Sequence, residues 1–238
     1  MSVVRVVWLA PVLVACGGDA APPRDPTPHP LAACAEVLSS PTTVLDVVGV
    51  IDALPEPTIP CFVASLERPL SVVVSRSQFS AQPAVDVDDP RIFLMRPGLT
   101  ITIVTAGFGR ELLELGEWES PTRTLKAELE FPLTPPVPDE APFEQVLNTS
   151  STVTGIESGC SVCHAEEQLA LELDGVNGYS SVALRPLDEL VLPLSTLESS
   201  RQACADVDRG VRCDMLRAVV DFGVEEGSFD PAVATFTD

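Results

Sequence analysis

Residues 122–131 read TRTLKAELEF. In an extended chain Leu125, Ala127, Leu129 and Phe131 fall on one side, and Thr124, Lys126, Glu128 and Glu130 on the other. That period of two marks a strand with one buried face and one wet face. Upstream, TTVLDVVGVID (42–52), CFVASL (61–66), PLSVVVSRSQFSAQ (69–82), RIFLMR (91–96), LTITIVTAGF (99–108) and ELLELGEW (111–118) are also short runs of β-branched and apolar residues, cut by Pro and Gly. Such runs predict strands. Together they predict an antiparallel β-sandwich over residues 34–131.

Downstream the composition changes. PLTPPVPDEAP, residues 132–142, reads as a proline-rich linker and the best domain boundary in the chain. Residues 143–238 read as a small, mainly helical module. Ser195-Thr196-Leu197-Glu198 has the form of a capping box opening a helix toward Ala205, and Arg212–Phe222 predicts a second helix ended by Gly223. The fold class expected is therefore β + α.

Charge narrows the function. With 35 acidic and 14 basic residues the net charge is −21, which repels nucleic acid and anionic lipid surfaces. The expected sandwich contains no phosphate-binding glycine loop, no G-x-S-x-G, no H-E-x-x-H and no histidine, so the commonest general base and most zinc chemistry are missing from it. Asp86, Asp88 and Asp89 lack EF-hand spacing and read as a solvated acidic turn. An electron carrier or a binding or structural protein is expected rather than an enzyme.

The N-terminus reads MSVVRVVWLAPVLVACGGD, with one positive residue, Arg5, then an apolar run from Val6 to Ala15, then Cys16. The run is shorter than the ~20 residues a spanning helix needs and suits a signal peptide over residues 1–15. Leu13-Val14-Ala15-Cys16 resembles the lipobox of bacterial lipoproteins, which implies cleavage before Cys16 and a lipid on its thiol. That implies a lipid-anchored protein of the cell envelope, with Gly17 favouring the outer membrane. Residues 16–33, with prolines at 22, 23, 26, 28 and 30, then form a semi-rigid tether in which His29 is expected to be solvated.

Removing Cys16 from the seven cysteines leaves six, an even number suited to an oxidising compartment. Proximity pairs Cys34–Cys61 and Cys204–Cys213, leaving Cys160 and Cys163 in GIESGCSVCHAEEQ, residues 155–168. His164 follows them directly and is the sole histidine outside the tether. Cys160, Cys163 and His164 match the haem-attachment motif of c-type cytochromes, a resemblance of five residues. It implies covalent haem c on the two sulfurs, with His164 as proximal iron ligand and an unidentified redox partner. No Pro-x-Met loop follows, so Met215 is the candidate distal ligand, although its place beside Leu216 suits packing. The alternative is a non-enzymatic surface or interaction lipoprotein in which Cys160 and Cys163 form a structural disulfide. Thiol–disulfide exchange is a third reading, disfavoured by the absence of a thioredoxin-like βαβ pattern.

The mature chain is expected to begin at a lipid-modified Cys16. Mass spectrometry of the N-terminal peptide checks this; an unacylated terminus or cleavage at another residue is the contrary result.

Overall fold

The computed structural model describes residues 28–147, 157–205 and 210–235. The segment expected as a signal peptide, Cys16 and most of the segment expected as a tether lie outside the described residues. None of the described helices is long and apolar enough to cross a membrane.

Three helices come first: α1 (Ala32–Ala35), α2 (Val44–Ala53) and α3 (Ile59–Ser65). Two of the runs expected as strands, 42–52 and 61–66, are thus helical, and their flanking residues explain why. Thr43 accepts from the Asp46 N–H while the Asp46 carboxylate accepts from the Thr43 N–H, a complete capping box. Thr58 likewise caps α3 ahead of Pro60, a residue suited to a first helical turn. Within α2, Val44, Val47, Val48 and Ile51 share one buried face at helical spacing. Caps plus that stripe outweigh the weak strand preference of β-branched side chains, which is worth only tenths of a kcal/mol per residue in a helix, on the order of 0.5.

The β-structure begins with β1 (Leu70–Ser75), β2 (Arg91–Arg96), β3 (Leu99–Val104), β4 (Leu112–Ser120) and β5 (Arg123–Glu130), each antiparallel to the next. Pro97 and Gly98 make the tight turn between β2 and β3. Gly98 has φ +75°, and a Cβ there would sit 2.9 Å from the Thr42 carbonyl oxygen, so both conformation and space require glycine. After the short helix α4 (Ala141–Glu144) come β6 (Gln168–Leu173) and β7 (Val176–Val182), and β7 pairs with β5. Two strands, β8 (Leu184–Arg185) and β9 (Val191–Leu192), precede helices α5 (Ser195–Gln202) and α6 (Val211–Val220); β10 (Val224–Glu226) and β11 (Ala234–Thr235) complete the order.

The main sheet runs β10-β1-β2-β3-β4-β5-β7-β6, with β9 also on β1 and only β10 parallel to its neighbour. Among the described residues β8 and β11 pair in parallel as a separate two-stranded sheet, and the main one is a mixed sheet of nine strands combined with six helices, a β + α architecture. Segments on both sides of 132–142 contribute to it. The stretch expected as a linker, 132–142, is anchored at Val137, which is buried and donates its N–H to Asp52 Oδ1 at 2.9 Å, and Phe143 directly after it is fully buried.

One sheet face carries Val72, Val74, Ile92, Leu94, Ile101, Ile103, Leu113, Leu125 and Leu129, which share a core with α2, α3 and α6. Met215 lies in that core at 1% exposure, alongside Leu216 and Val219. Helix α5 starts near the expected place, but Ser195 sits inside it and Leu194 occupies the N-cap with no side-chain bond, so the expected capping box does not form.

Cys34–Cys61 and Cys204–Cys213 are disulfides, spanning 27 and 9 residues of sequence. The first ties α1 to α3; the second ties the end of α5 to α6. Replacing Cys34 and Cys61 together with Ala is expected to lower the unfolding free energy by about 2–4 kcal/mol, since the cross-link restricts the unfolded chain. Urea denaturation of the oxidised wild type and the double variant reads this directly.

Candidate functional site

Alternation along the strands puts a second set of side chains on the sheet face away from the core. Ser75, Arg91, Phe93, Thr100, Thr102, Glu114, Gly116, Trp118, Thr124, Lys126 and Glu128 follow one another across β1 to β5 in register. These residues floor a cleft of about 760 Å³. One of its walls is the Cys160–His164 segment.

That segment is held by its own hydrogen bonds. Gly159–Val162 form a 3-10 turn in which the Ser158 hydroxyl accepts from the Cys160 N–H at 3.2 Å. The Cys160 carbonyl accepts from His164 N–H at 2.8 Å and Cys163 N–H at 3.1 Å. Glu167 ties the turn down from behind, accepting from the Glu157 N–H at 2.7 Å, from the Ser158 N–H and from the Ser158 hydroxyl. Cys160 is half-buried, Cys163 is exposed, and neither thiol is in a disulfide.

His164 Nδ1 lies 2.8 Å from the Val182 carbonyl oxygen, at the end of β7. A carbonyl can only accept, so this contact places the proton on Nδ1 and leaves Nε2 with its lone pair. Nε2 has no partner among the described residues. Lys126 Nζ approaches the same Nδ1 at 3.3 Å and donates to Thr124 Oγ1 at 2.6 Å. Burial, reinforced by the Lys126 charge, pulls the imidazole down to about 4, so the ring is neutral at physiological pH.

Lys126 and its neighbours are charged residues out of water. Burial pulls the Lys126 ammonium down to about 8 and pushes the Cys160 thiol up to about 11. Burial, with the like charge of Glu114, pushes the Glu128 carboxyl up to about 7. Arg91 pairs with Glu114, donates to Ser80 Oγ at 2.6 Å and stacks over Phe93 at 5.0 Å. A raised thiol is the reverse of what a disulfide-exchange nucleophile needs, which weighs against that chemistry here.

The structure thus gathers Cys160, Cys163 and His164 at one cleft, while Met215 packs in the core on another part of the fold and is not among the cleft-lining residues. His29, expected to be solvated, instead lies 3.0 Å from Asp221 Oδ2 and edge-on to Phe222, at the end of α6. Asp89 is engaged by Arg212 and Thr105. Among the described residues no group of three or more His, Cys, Asp or Glu side chains is placed to hold a metal ion. Lys126, Glu167 and Val182 were missed from sequence. Lys126 carried a signal, as the only lysine in the chain, set in the polar stripe of an alternating strand. Val182 acts through its backbone and leaves no trace in residue type.

No protein-family model, no curated protein and no solved structure matches the chain.

Glu128 generates a pH dependence of stability. Its folded value of about 7 lies above the ordinary carboxyl value of 4.5, so the folded state takes up the proton first. The resulting stabilisation is complete below 4.5 and is lost as pH rises through about 7. Glu128→Gln is therefore expected to be more stable than wild type at pH 8 and equal to it at pH 4, by urea denaturation. His164, whose value is depressed, opposes the trend in both proteins and cancels in the difference.

Proposed function

We propose that this chain is a lipid-anchored, extracytoplasmic protein of the cell envelope that carries a c-type haem and serves as an electron carrier. The observation that carries the reading is the His164 imidazole, whose Nδ1 bonds a backbone carbonyl while Nε2 is unpartnered at the cleft. An outer-shell carbonyl of this kind sets the tautomer and aim of a metal-binding histidine.

The remaining residues fit the group. Cys160 and Cys163 are unpaired thiols beside His164 in one short turn, the arrangement two thioether bonds require. Phe79, Phe93, Trp118 and Phe229 give the cleft aromatic surface, with Phe93 and Phe229 in edge contact at 5.2 Å. When bound, the haem supplies a one-electron redox couple. The chain's contribution is to hold the imidazole neutral, to fix its orientation through the Val182 carbonyl, to hold the turn before it through Glu167, and to bury one side of the site. Met215 has no place in this reading. The lipobox supports the anchor, and the tether would carry the folded part away from the membrane surface.

A second reading, a surface lipoprotein without haem, draws on the two disulfides that brace the helices. In it, Cys160 and Cys163 would close into a disulfide after folding.

Protein from a host with cytochrome maturation machinery is expected to show Soret absorbance that survives acid-acetone extraction, and Cys160→Ala with Cys163→Ala is expected to abolish it. His164→Ala is expected to remove the low-spin spectrum. Colourless protein yielding a Cys160–Cys163 disulfide peptide would hand the case to the second reading.

A further inference from the structure

Ser75 ends β1 beside the cleft, and Arg76 follows it. Among the described residues Arg76 is the one arginine whose side chain makes neither an ion pair nor a hydrogen bond to protein. The others bond carboxylates or carbonyls: Arg68 the end of α6, Arg91 Glu114, Arg96 Glu67, Arg110 Glu111, Arg123 Ser180, Arg185 Asp188, Arg201 Asp221, Arg212 Asp89 and Arg217 Asp214. In a chain of net charge −21 acidic partners abound, so a guanidinium without one marks a place kept for something else. Its backbone is pinned, the Arg76 N–H donating to the Leu190 carbonyl at 2.9 Å.

A second observation points the same way. Ser75 is fully buried with its Oγ unpartnered, and Arg76 Nε and Arg91 Nε are likewise buried without an acceptor. All three residues line the cleft. A buried polar atom left unpaired carries a desolvation cost that a bound acceptor relieves.

Charge selects the acceptor. Arg91 is balanced by Glu114 and Arg185 by Asp188. Lys126 donates to Thr124 Oγ1 at 2.6 Å. Among the described residues Arg76 is left as the one guanidinium lining the cleft without a carboxylate partner, and in a strongly negative protein that single fixed charge matches a monoanion. A carboxylate also suits the planar guanidinium fork and accepts from a hydroxyl beside it.

We propose that Ser75 and Arg76 form a carboxylate-binding subsite at one end of the cleft, for a ligand whose apolar body lies along Phe79, Phe93 and Phe229. The subsite stands on the unpaired groups and not on haem. Its carboxylate is either a haem propionate or that of a free amphipathic acid.

Trp118 lines the same cleft and is the only tryptophan beyond Trp8, so its fluorescence reports occupancy. Haem-free chain, made without maturation machinery, is titrated with 4-phenylbutyrate and with its neutral isostere 4-phenylbutyramide. The acid is expected to bind about tenfold more tightly than the amide, as a charge-assisted bond to Arg76 requires. Arg76→Gln is expected to erase that preference while amide binding is unchanged, and Arg76→Lys to keep part of it; unchanged amide binding shows that the variants are folded. Equal binding of acid and amide, a preference that survives in Arg76→Gln, or no binding of either probe overturns the proposal. On haem-loaded protein, loss of acid binding identifies the propionate as occupant and persistence of the tenfold preference identifies a free acid. Failure of haem attachment leaves the haem-free titration intact, so the two ideas fail separately.

Discussion

Alternation across β1–β5 divides every residue of the sheet between two environments, and the rest of the fold follows from that division. Leu113, Leu125 and Leu129 face a core completed by α2, α3 and α6, and burying side chains of this kind gains about 1.5–3 kcal/mol each. Glu114, Lys126 and Glu128 are thereby forced onto the opposite face in the same register. A polar face of this kind gains little by packing on an apolar helix. It stays open as a cleft, covered in part by the Cys160–His164 turn.

The same constraint accounts for the electrostatics of the site. Lys126 is committed to its position by the strand period, yet the 158–165 segment and β7 close over it. Its ammonium cannot reach bulk water, and Thr124 Oγ1 is the acceptor it has instead, while the nearby Nδ1 of His164 donates its proton to the Val182 carbonyl. Arg91 and Glu114 resolve a similar situation by pairing with each other. Pairing of buried polar groups, with unpartnered atoms left at Ser75 and Arg76, gives the cleft its uneven character.

Strands β2 to β5 were legible in sequence because alternation and turn residues agreed over each of them. Helices α2 and α3 were misread because their β-branched and apolar residues resemble strand runs, and their identity lay in Thr43, Asp46, Thr58 and Pro60 at the boundaries. The two disulfides were legible from spacing alone, since each pair is near in sequence. Sheet pairing between β5 and β7 was not, because it joins segments separated by a proline-rich stretch whose anchoring depends on Val137 and Phe143 finding a core. At the site, the motif itself was evident. The residues that orient it were not: Val182 works through a carbonyl, and Glu167 is one acidic residue among 35 acidic side chains.

That the chain has a single lysine gives this cleft an unusual chemical address. Beyond the N-terminus, Lys126 is the only primary amine in the protein, and it sits at the cleft floor in a state closer to a free base than lysines in water are. Acylating or imine-forming reagents therefore meet one internal target, and whether they reach it is decided by what fills the space above. The degree of modification at one residue becomes a gauge of access, readable by mass in crude preparations, with no background from the rest of the surface.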